Sequence, residues 1–178
     1  MKREEETAYH EAGHVMAHHV LGLPFEYVTI VPDEDSEGHI IDADYDSAKL
    51  GASMEENDYQ YSEMVILCAS VGAEKHLTSE TSTLEEMKEA IAQEDPDRDA
   101  LRCYARSIAG TGDLDRQEKV QVCAIEDARR LIAHYWADVE TVANALLRYK
   151  TLSSEEVRAL LTTPEGIEQD VRGRWAEC

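Results

Sequence analysis

The sequence predicts a mainly α (α+β) fold, in which long helices enclose a small β-sheet. Apolar residues recur at three- and four-residue spacing over 58–77 and again over 139–147, which is typical of helices with one buried face. Two short segments, 25–31 and 39–41, favour strands and flank an acidic turn at 33–38. With 178 residues the chain is long enough to bury a single hydrophobic core, so we expect one soluble domain.

The first helix is predicted over 4–21. Its first turn is acidic, which favours the positive end of the helix dipole, and Gly22 and Pro24 follow its last turn as stop signals. The two strand segments come directly afterwards. We therefore expect the small sheet to lie beside this first helix.

The middle of the chain is predicted to be helical as well. Helices are expected over 58–77, within 78–93, over 97–109 and over 114–135. Ser82 and Glu85 have the spacing of a capping box, and Pro96 suits the first turn of the third of these helices. The acidic segment 42–46 lacks the glycine and glutamate of a calcium loop, so we interpret it as surface.

The C-terminal part divides into a closing helix and a tail. Ser153 and Glu156 form a second predicted capping box, which opens a helix carrying Val157. After Pro164 few apolar residues remain, and this tail is expected either to fray or to dock on a neighbouring molecule. The predicted organisation is a domain at 1–163 and a tail at 164–178.

Charge and cysteine content restrict the classes of partner. The formal net charge of −21 argues against nucleic acids and anionic membranes, because phosphate groups would be repelled. The longest apolar stretch, 64–73, is too short to cross a bilayer, and the charged start of the chain does not resemble a signal peptide. The four cysteines show no CxxC spacing, so we expect reduced thiols in a cytoplasmic protein.

The segment His10-Glu11-Ala12-Gly13-His14 carries the clearest chemical signal, an HExxH motif on the first predicted helix. Residues four apart share a helix face, so His10 and His14 can offer two imidazole nitrogens to one metal ion, which the residue types indicate is Zn²⁺. Glu11 is then placed to act as general base on a water that the metal acidifies. The alternative is an exposed, histidine-rich amphipathic helix without a metal.

The residues around this motif resemble the peptidase domain of FtsH-type AAA proteases. The matching segments are 8–14, 17–24, 28–32, 128–132, 142–147, 151–153 and 156–157. The resemblance implies a helical zinc metallopeptidase domain with a small β-sheet beside the HExxH helix. No GxxxxGK[ST] phosphate loop occurs, so we expect a stand-alone domain without the family's ATPase and transmembrane parts.

The resemblance also implies a third metal ligand, an aspartate at the start of a helix. Aligning Asp97 with that aspartate places Ala105 and Arg106 on the family's Ala-Arg pair, and Asp97 is therefore the preferred ligand. Asp113, Asp99 and Asp95 remain alternatives, and each aspartate has the competing interpretation of a helix cap. His18 and His19 are expected to be packed or solvated, because three ligands on consecutive turns of one helix cannot converge. Glu74 is assigned no catalytic role.

These observations lead to two hypotheses from different classes. The first is a zinc metalloendopeptidase that cleaves flexible or unfolded polypeptides, with His10, His14 and Asp97 holding Zn²⁺ and Glu11 as the catalytic residue. The second is a non-catalytic, peptidase-like binding or regulatory module that keeps the fold. A hydrolase of small amides would share the same site. The expected partner is a polypeptide substrate, together with a separate ATPase or further copies of the chain.

Overall fold

The structure, a computed structural model, describes residues 2–33, 37–42, 55–79, 83–93, 95–167 and 169–178; the side chains of residues 2, 42, 95–97, 169, 170 and 172 lie outside that description. The predicted mainly helical α+β class is confirmed. The helices are, in chain order, α1 (Lys2–Leu21), α2 (Glu56–Thr78), α3 (Leu84–Ile91), α4 (Asp95–Ala109), α5 (Leu114–His134), α6 (Trp136–Tyr149) and α7 (Ser154–Leu160), followed by a C-terminal 3-10 helix (Gln169–Ala176).

The sheet contains strands β1 (Phe25–Thr29), β2 (His39–Asp42) and β3 (Thr151–Ser153), in the order β2-β1-β3. Both pairings are antiparallel, with Val28 opposite Ile40 on one side and opposite Leu152 on the other. The sequence predicts β1 and β2 but not β3, since three residues between two helices show no alternation. The sheet packs against α1, as expected for a chain that turns directly from that helix into β1.

Helices α1 and α2 form the centre of the core. Helix α1 packs against α2 and α6, while α2 also packs against α4 and α5. Gly13 permits the closest approach, because a Cβ atom at this position would lie 2.5 Å from the carbonyl oxygen of Ala69. A side chain there would therefore push the two central helices apart. Gly22 ends α1 with a φ of 69°, a left-handed conformation that glycine adopts without strain.

Two local expectations concern the capping boxes. Ser153 and Glu156 form the box predicted at α7, with hydrogen bonds in both directions. The box predicted from Ser82 and Glu85 is wrong by one residue, because Thr83 and Glu86 make these bonds at the start of α3. Both pairs have the required spacing, so only the position at which the helix begins distinguishes them. The acidic segment 42–46 lies outside the described residues apart from the backbone of Asp42.

The C-terminal tail packs on its own chain. Trp175 Nε1 donates a hydrogen bond to Asp58 Oδ1 at 2.7 Å, and Arg174 Nη1 lies 3.1 Å from Asp127 Oδ1. Cys178 forms a disulfide with Cys123 of α5, which corrects the expectation of four reduced thiols. The two cysteines are 55 residues apart in sequence, and only the return of the tail onto α5 brings their Cα atoms to 6.5 Å. Spacing rules for metal sites therefore could not detect this pair.

None of the described helices has a stretch long and apolar enough to cross a membrane.

Candidate metal centre

Helix α1 brings the two motif histidines together on the side that faces α2. His10 and His14 lie one turn apart, and their Nε2 atoms are 3.2 Å from each other. Two nitrogens bound to one tetrahedral Zn²⁺ at about 2.0–2.1 Å would be separated by about 3.4 Å. The spacing between the two rings therefore fits a shared zinc ion without a change of helix geometry.

The other ring nitrogen of each histidine has an acceptor on α2. Nδ1 of His10 is 2.8 Å from Glu74 Oε1, and Nδ1 of His14 is 3.1 Å from the carbonyl oxygen of Ile66. A carbonyl oxygen can only accept, and an ionised carboxylate likewise, so both Nδ1 atoms carry the proton. In neutral rings, both Nε2 atoms then carry lone pairs, and the two atoms lie 3.2 Å apart. Carboxylates and carbonyls in such positions orient the histidine ligands of metal ions.

Burial favours the neutral form that metal binding needs. His14 is 8% exposed, and burial holds the pKa of its ring well below the usual imidazole value, with His10 and His18 adding repulsion. The side chain of His10 is 20% exposed and that of Glu74 is 34% exposed. The centre is therefore closed on the His14 side and open to solvent on the His10 side, which leaves a route for an ion.

Glu11, the predicted general base, is buried on α1 beside the histidine pair. The segment that enters β2 lies directly against it: a Cβ atom at Gly38 would be 2.9 Å from Glu11 Oε1 and 2.8 Å from Thr7 Cγ2. Glycine at position 38 thus lets the backbone approach the carboxylate closely. This contact places edge strand β2 next to the motif helix.

The third ligand is not settled by the described side chains. Within them, no group of three His, Cys, Asp or Glu residues surrounds a common point. Asp97 lies in the first turn of α4, but its side chain and that of Asp95 lie outside the described residues. Asp97 stays a prediction, and it fits the donor chemistry, because a carboxylate is a suitable third ligand for zinc.

The described alternatives to Asp97 have structural roles at the surface. Asp113 caps α5, where its Oδ1 accepts from the backbone N–H of Arg116 at 3.0 Å. Asp99 is exposed, and its Oδ1 lies 3.3 Å from Arg98 Nε. These contacts account for both aspartates as cap and surface residues.

The remaining histidines of α1 are packed, as expected. His18 is buried, and its Nδ1 lies 3.3 Å from the carbonyl oxygen of Leu23. His19 Nε2 lies 2.7 Å from the carbonyl oxygen of Thr163, which ties the end of α1 to the segment after α7. Both rings therefore join backbone segments together, away from the His10 and His14 pair.

Glu74 is the residue that sequence reasoning missed. It lies 64 positions from His10, and the distance between His10 Nδ1 and its carboxylate shows that it positions the ring. Its only sequence signal is its place directly after the apolar stretch 64–73. In a chain with 38 acidic residues, that signal cannot be separated from an ordinary solvated glutamate.

No protein-family model matches the chain, and none of the curated proteins matches it either. The resemblance to the FtsH-type peptidase domain therefore stays a prediction. What supports a function here is the arrangement of the side chains themselves.

Proposed function

We propose that the protein is a zinc-dependent metalloendopeptidase that hydrolyses peptide bonds in flexible or unfolded polypeptides. The observation that carries the proposal is the pair of facing Nε2 atoms, 3.2 Å apart, on histidines whose Nδ1 atoms are both committed to acceptors. Two neutral rings protonated at Nδ1 bring two acceptors to this distance, where they repel each other unless a cation or a proton lies between them. A divalent metal ion satisfies both at once, and imidazole pairs of this kind suit zinc.

The roles of the residues follow from their positions. His10 and His14 would hold the ion, Asp97 would complete the set, and Glu74 and the Ile66 carbonyl keep the two rings oriented. Bound zinc would supply Lewis acidity toward a peptide carbonyl and toward water. Glu11 would take a proton from the attacking water and deliver it to the leaving amine, as a buried carboxylate beside the ligands is placed to do.

The sheet supports an extended polypeptide as substrate. Strand β2 pairs with β1 on one side, and on its other side it has no strand partner among the residues that the structure describes. Such an edge can accept a peptide as an additional strand. Gly38, which precedes β2, touches the Glu11 side chain, so a peptide added to this edge would run past the proposed general base.

The proposed place of action is the cytoplasm, and a separate ATPase or self-association is the proposed means of reaching folded substrates. The disulfide between Cys123 and Cys178 argues against a cytoplasmic location, because disulfides persist mainly in oxidising compartments. The number of free thiols in protein taken from intact cells tests whether the protein is in a reducing compartment. Four free thiols would support the cytoplasmic proposal.

The test combines metal content with cleavage of a denatured protein. We expect about one zinc per wild-type chain. We also expect Glu11→Gln to retain zinc while losing roughly 10²–10⁴-fold in cleavage rate, because the general base is removed. Glu6→Gln is the matched control, since Glu6 is an exposed acid on the same helix. Cleavage by Glu11→Gln at the wild-type rate would contradict the mechanism.

Loss of zinc identifies the ligands. We expect His10→Ala and Asp97→Ala to lower zinc content, while Asp113→Ala and Asp99→Ala leave it unchanged. Zinc retained in Asp97→Ala would remove Asp97 from the proposed ligand set. Zinc binding without cleavage of any denatured protein would favour the non-catalytic binding module instead.

A further inference from the structure

A cavity lies between the end of α5 and the C-terminal 3-10 helix. Its volume is about 540 Å³, which is within the range of pockets that hold small organic ligands. Three of its lining residues are arginines: Arg129, Arg130 and Arg174. The whole chain has 17 lysines and arginines against 38 acids, so this concentration of guanidinium groups is unusual for it.

Buried and partly buried carboxylates hold these guanidinium groups in position. Asp127 Oδ1 lies 2.5 Å from Arg130 Nη2 and 3.1 Å from Arg174 Nη1. Arg129 forms a two-pronged pair with Glu126, at 3.1 and 2.6 Å. Asp127 is itself 5% exposed, and its Oδ2 accepts a hydrogen bond from the Tyr61 hydroxyl at 2.7 Å. The arginine heads are thus set by protein contacts before any ligand arrives.

Among the described side chains, the charges at this cavity do not cancel. Three guanidinium groups line it and two carboxylates pair with them, Glu126 with Arg129 and Asp127 with both Arg130 and Arg174. Each guanidinium has five N–H donors, and the bonds to carboxylates use only one or two of them. Arg130 Nε also donates to the carbonyl oxygen of Glu126, but the side chains of Arg130 and Arg174 are 49% and 38% exposed, so a solute can reach both. The cavity can therefore receive an anion despite the negative net charge of the chain.

The remainder of the wall is mostly apolar, with His134 as its other polar residue. Leu131 and Tyr135 contribute from the end of α5, and Val171 contributes from the 3-10 helix. The cavity is also larger than one inorganic anion requires. A ligand that fills it has a charged group for the arginines and an apolar body for this wall.

We propose that this cavity, defined by Asp127, the three arginines and the apolar wall, binds a small organic phosphate monoester. A phosphate monoester has three terminal oxygens and a charge of about −2, so it can accept from several guanidinium groups at once and balances more positive charge than a carboxylate does. The ligand's apolar body then packs between Leu131 and Val171. This site is separate from the proposed metal centre, and its test does not depend on peptidase activity.

The tail is part of the proposed site. Arg174 and Val171 belong to the 3-10 helix, which is held to α2 by the bond from Trp175 to Asp58 and to α5 by the disulfide. The cavity therefore exists only while the tail is docked. Ligand binding is expected to protect the tail from proteolysis, because the ligand contacts both walls.

The test is titration of the full-length protein, by isothermal calorimetry or NMR, with phenyl phosphate as the probe. Benzoate, phenol and inorganic phosphate are the comparison probes. We expect phenyl phosphate to bind at least tenfold more tightly than each of them. We expect Arg174→Gln and Arg130→Gln to weaken its binding at least tenfold, while Arg158→Gln, which removes a surface pair with Glu165, leaves it unchanged.

One further variant separates ligand binding from tail docking. Ala133 is an exposed residue that lines the cavity, and Ala133→Trp fills the space while leaving every arginine pair in place. We expect this variant to unfold at the wild-type temperature and to lose phenyl phosphate binding. No binding by wild type, equal binding of benzoate or inorganic phosphate, or undiminished binding by Ala133→Trp would each overturn the proposal.

Discussion

Helix α2 takes part in two buried polar clusters, one toward each end, and they are completed in different ways. The aspartate cluster consists of Tyr61, Asp127, Arg130 and Arg174; its buried groups, Tyr61 and Asp127, meet partners within the protein. Burial, the charge of Asp127 and the hydrogen bond to it raise the pKa of Tyr61, which keeps the phenol protonated as a donor. The buried part of the cluster needs no further partner.

The histidine cluster consists of His10, His14 and Glu74, together with the carbonyl of Ile66. The Nδ1 atoms of its two histidines lie against oxygen acceptors, and the two Nε2 atoms lie 3.2 Å from each other. A complementary cluster stabilises the fold, whereas two facing acceptors are satisfied by a shared proton or, as proposed above, by a metal ion. The comparison predicts that mutations in the aspartate cluster lower stability and that mutations in the histidine cluster lower metal affinity.

The largest expected effect is in the aspartate cluster. Asp127→Ala leaves the buried Tyr61 hydroxyl and two partly exposed guanidinium groups without their shared acceptor, so the free energy of unfolding should fall by about 2–4 kcal/mol. Chemical denaturation measures this change. The control is Glu118→Ala, an exposed acid on the same helix, for which a change within about 0.5 kcal/mol is expected. A loss below about 1 kcal/mol would show that the cluster is not a stabilising one.

Gly13→Ala tests the close approach of α1 and α2 beside the histidine cluster. Alanine favours a helix by about 1 kcal/mol over glycine, but its Cβ would lie 2.5 Å from the Ala69 carbonyl oxygen. Overpacking should dominate, with a net destabilisation of about 1–2 kcal/mol in denaturation experiments. Gly112→Ala is the control, since nothing lies within 4 Å of its Cβ position. Equal or higher stability of Gly13→Ala would mean that the helices separate at little cost.

Glu74→Gln should separate metal affinity from stability. The variant removes the charged acceptor of His10 Nδ1, so zinc affinity should fall by about 10–100-fold while the metal-free protein keeps its unfolding midpoint. Competition with a chelator measures the affinity. Glu89→Gln, an exposed acid of α3, is the matched variant and should bind zinc normally. An unchanged affinity in Glu74→Gln would exclude the positioning role.

The smallest expected effect is a pH dependence of the metal-free protein. The pKa of His14 is lowered in the folded state, so below about pH 6.5 the unfolded chain binds a proton that the folded chain does not. Stability from this group is therefore present above that pH and lost as the pH falls, by at most about 1.4 kcal/mol per pH unit. Denaturation at pH 7.5 and 5.5 should show a smaller difference in His14→Gln than in wild type. Equal differences in wild type and His14→Gln would show that the pH dependence does not come from His14.

Local patterns predicted most of the helices and the core of the candidate site. The HExxH spacing put His10 and His14 on one helix face, and the structure brings their rings together there. The same patterns could not identify Glu74 or the Ile66 carbonyl, because residues 64 or 52 positions apart make these contacts and no regular spacing in the sequence marks them. They also missed β3, which becomes a strand only because β1 offers it a partner.

The sequence by itself determined the helical class, the sites of capping to within a residue, the acidic surface and the two histidines with Glu11 between them. These features depend on neighbours within one or two turns, where residue type and spacing decide the outcome. The tertiary structure alone decided which nitrogen of each ring faces inward, where the tail packs and which arginines share Asp127. Such choices depend on groups that meet only after the chain has folded back on itself, and no local pattern records them.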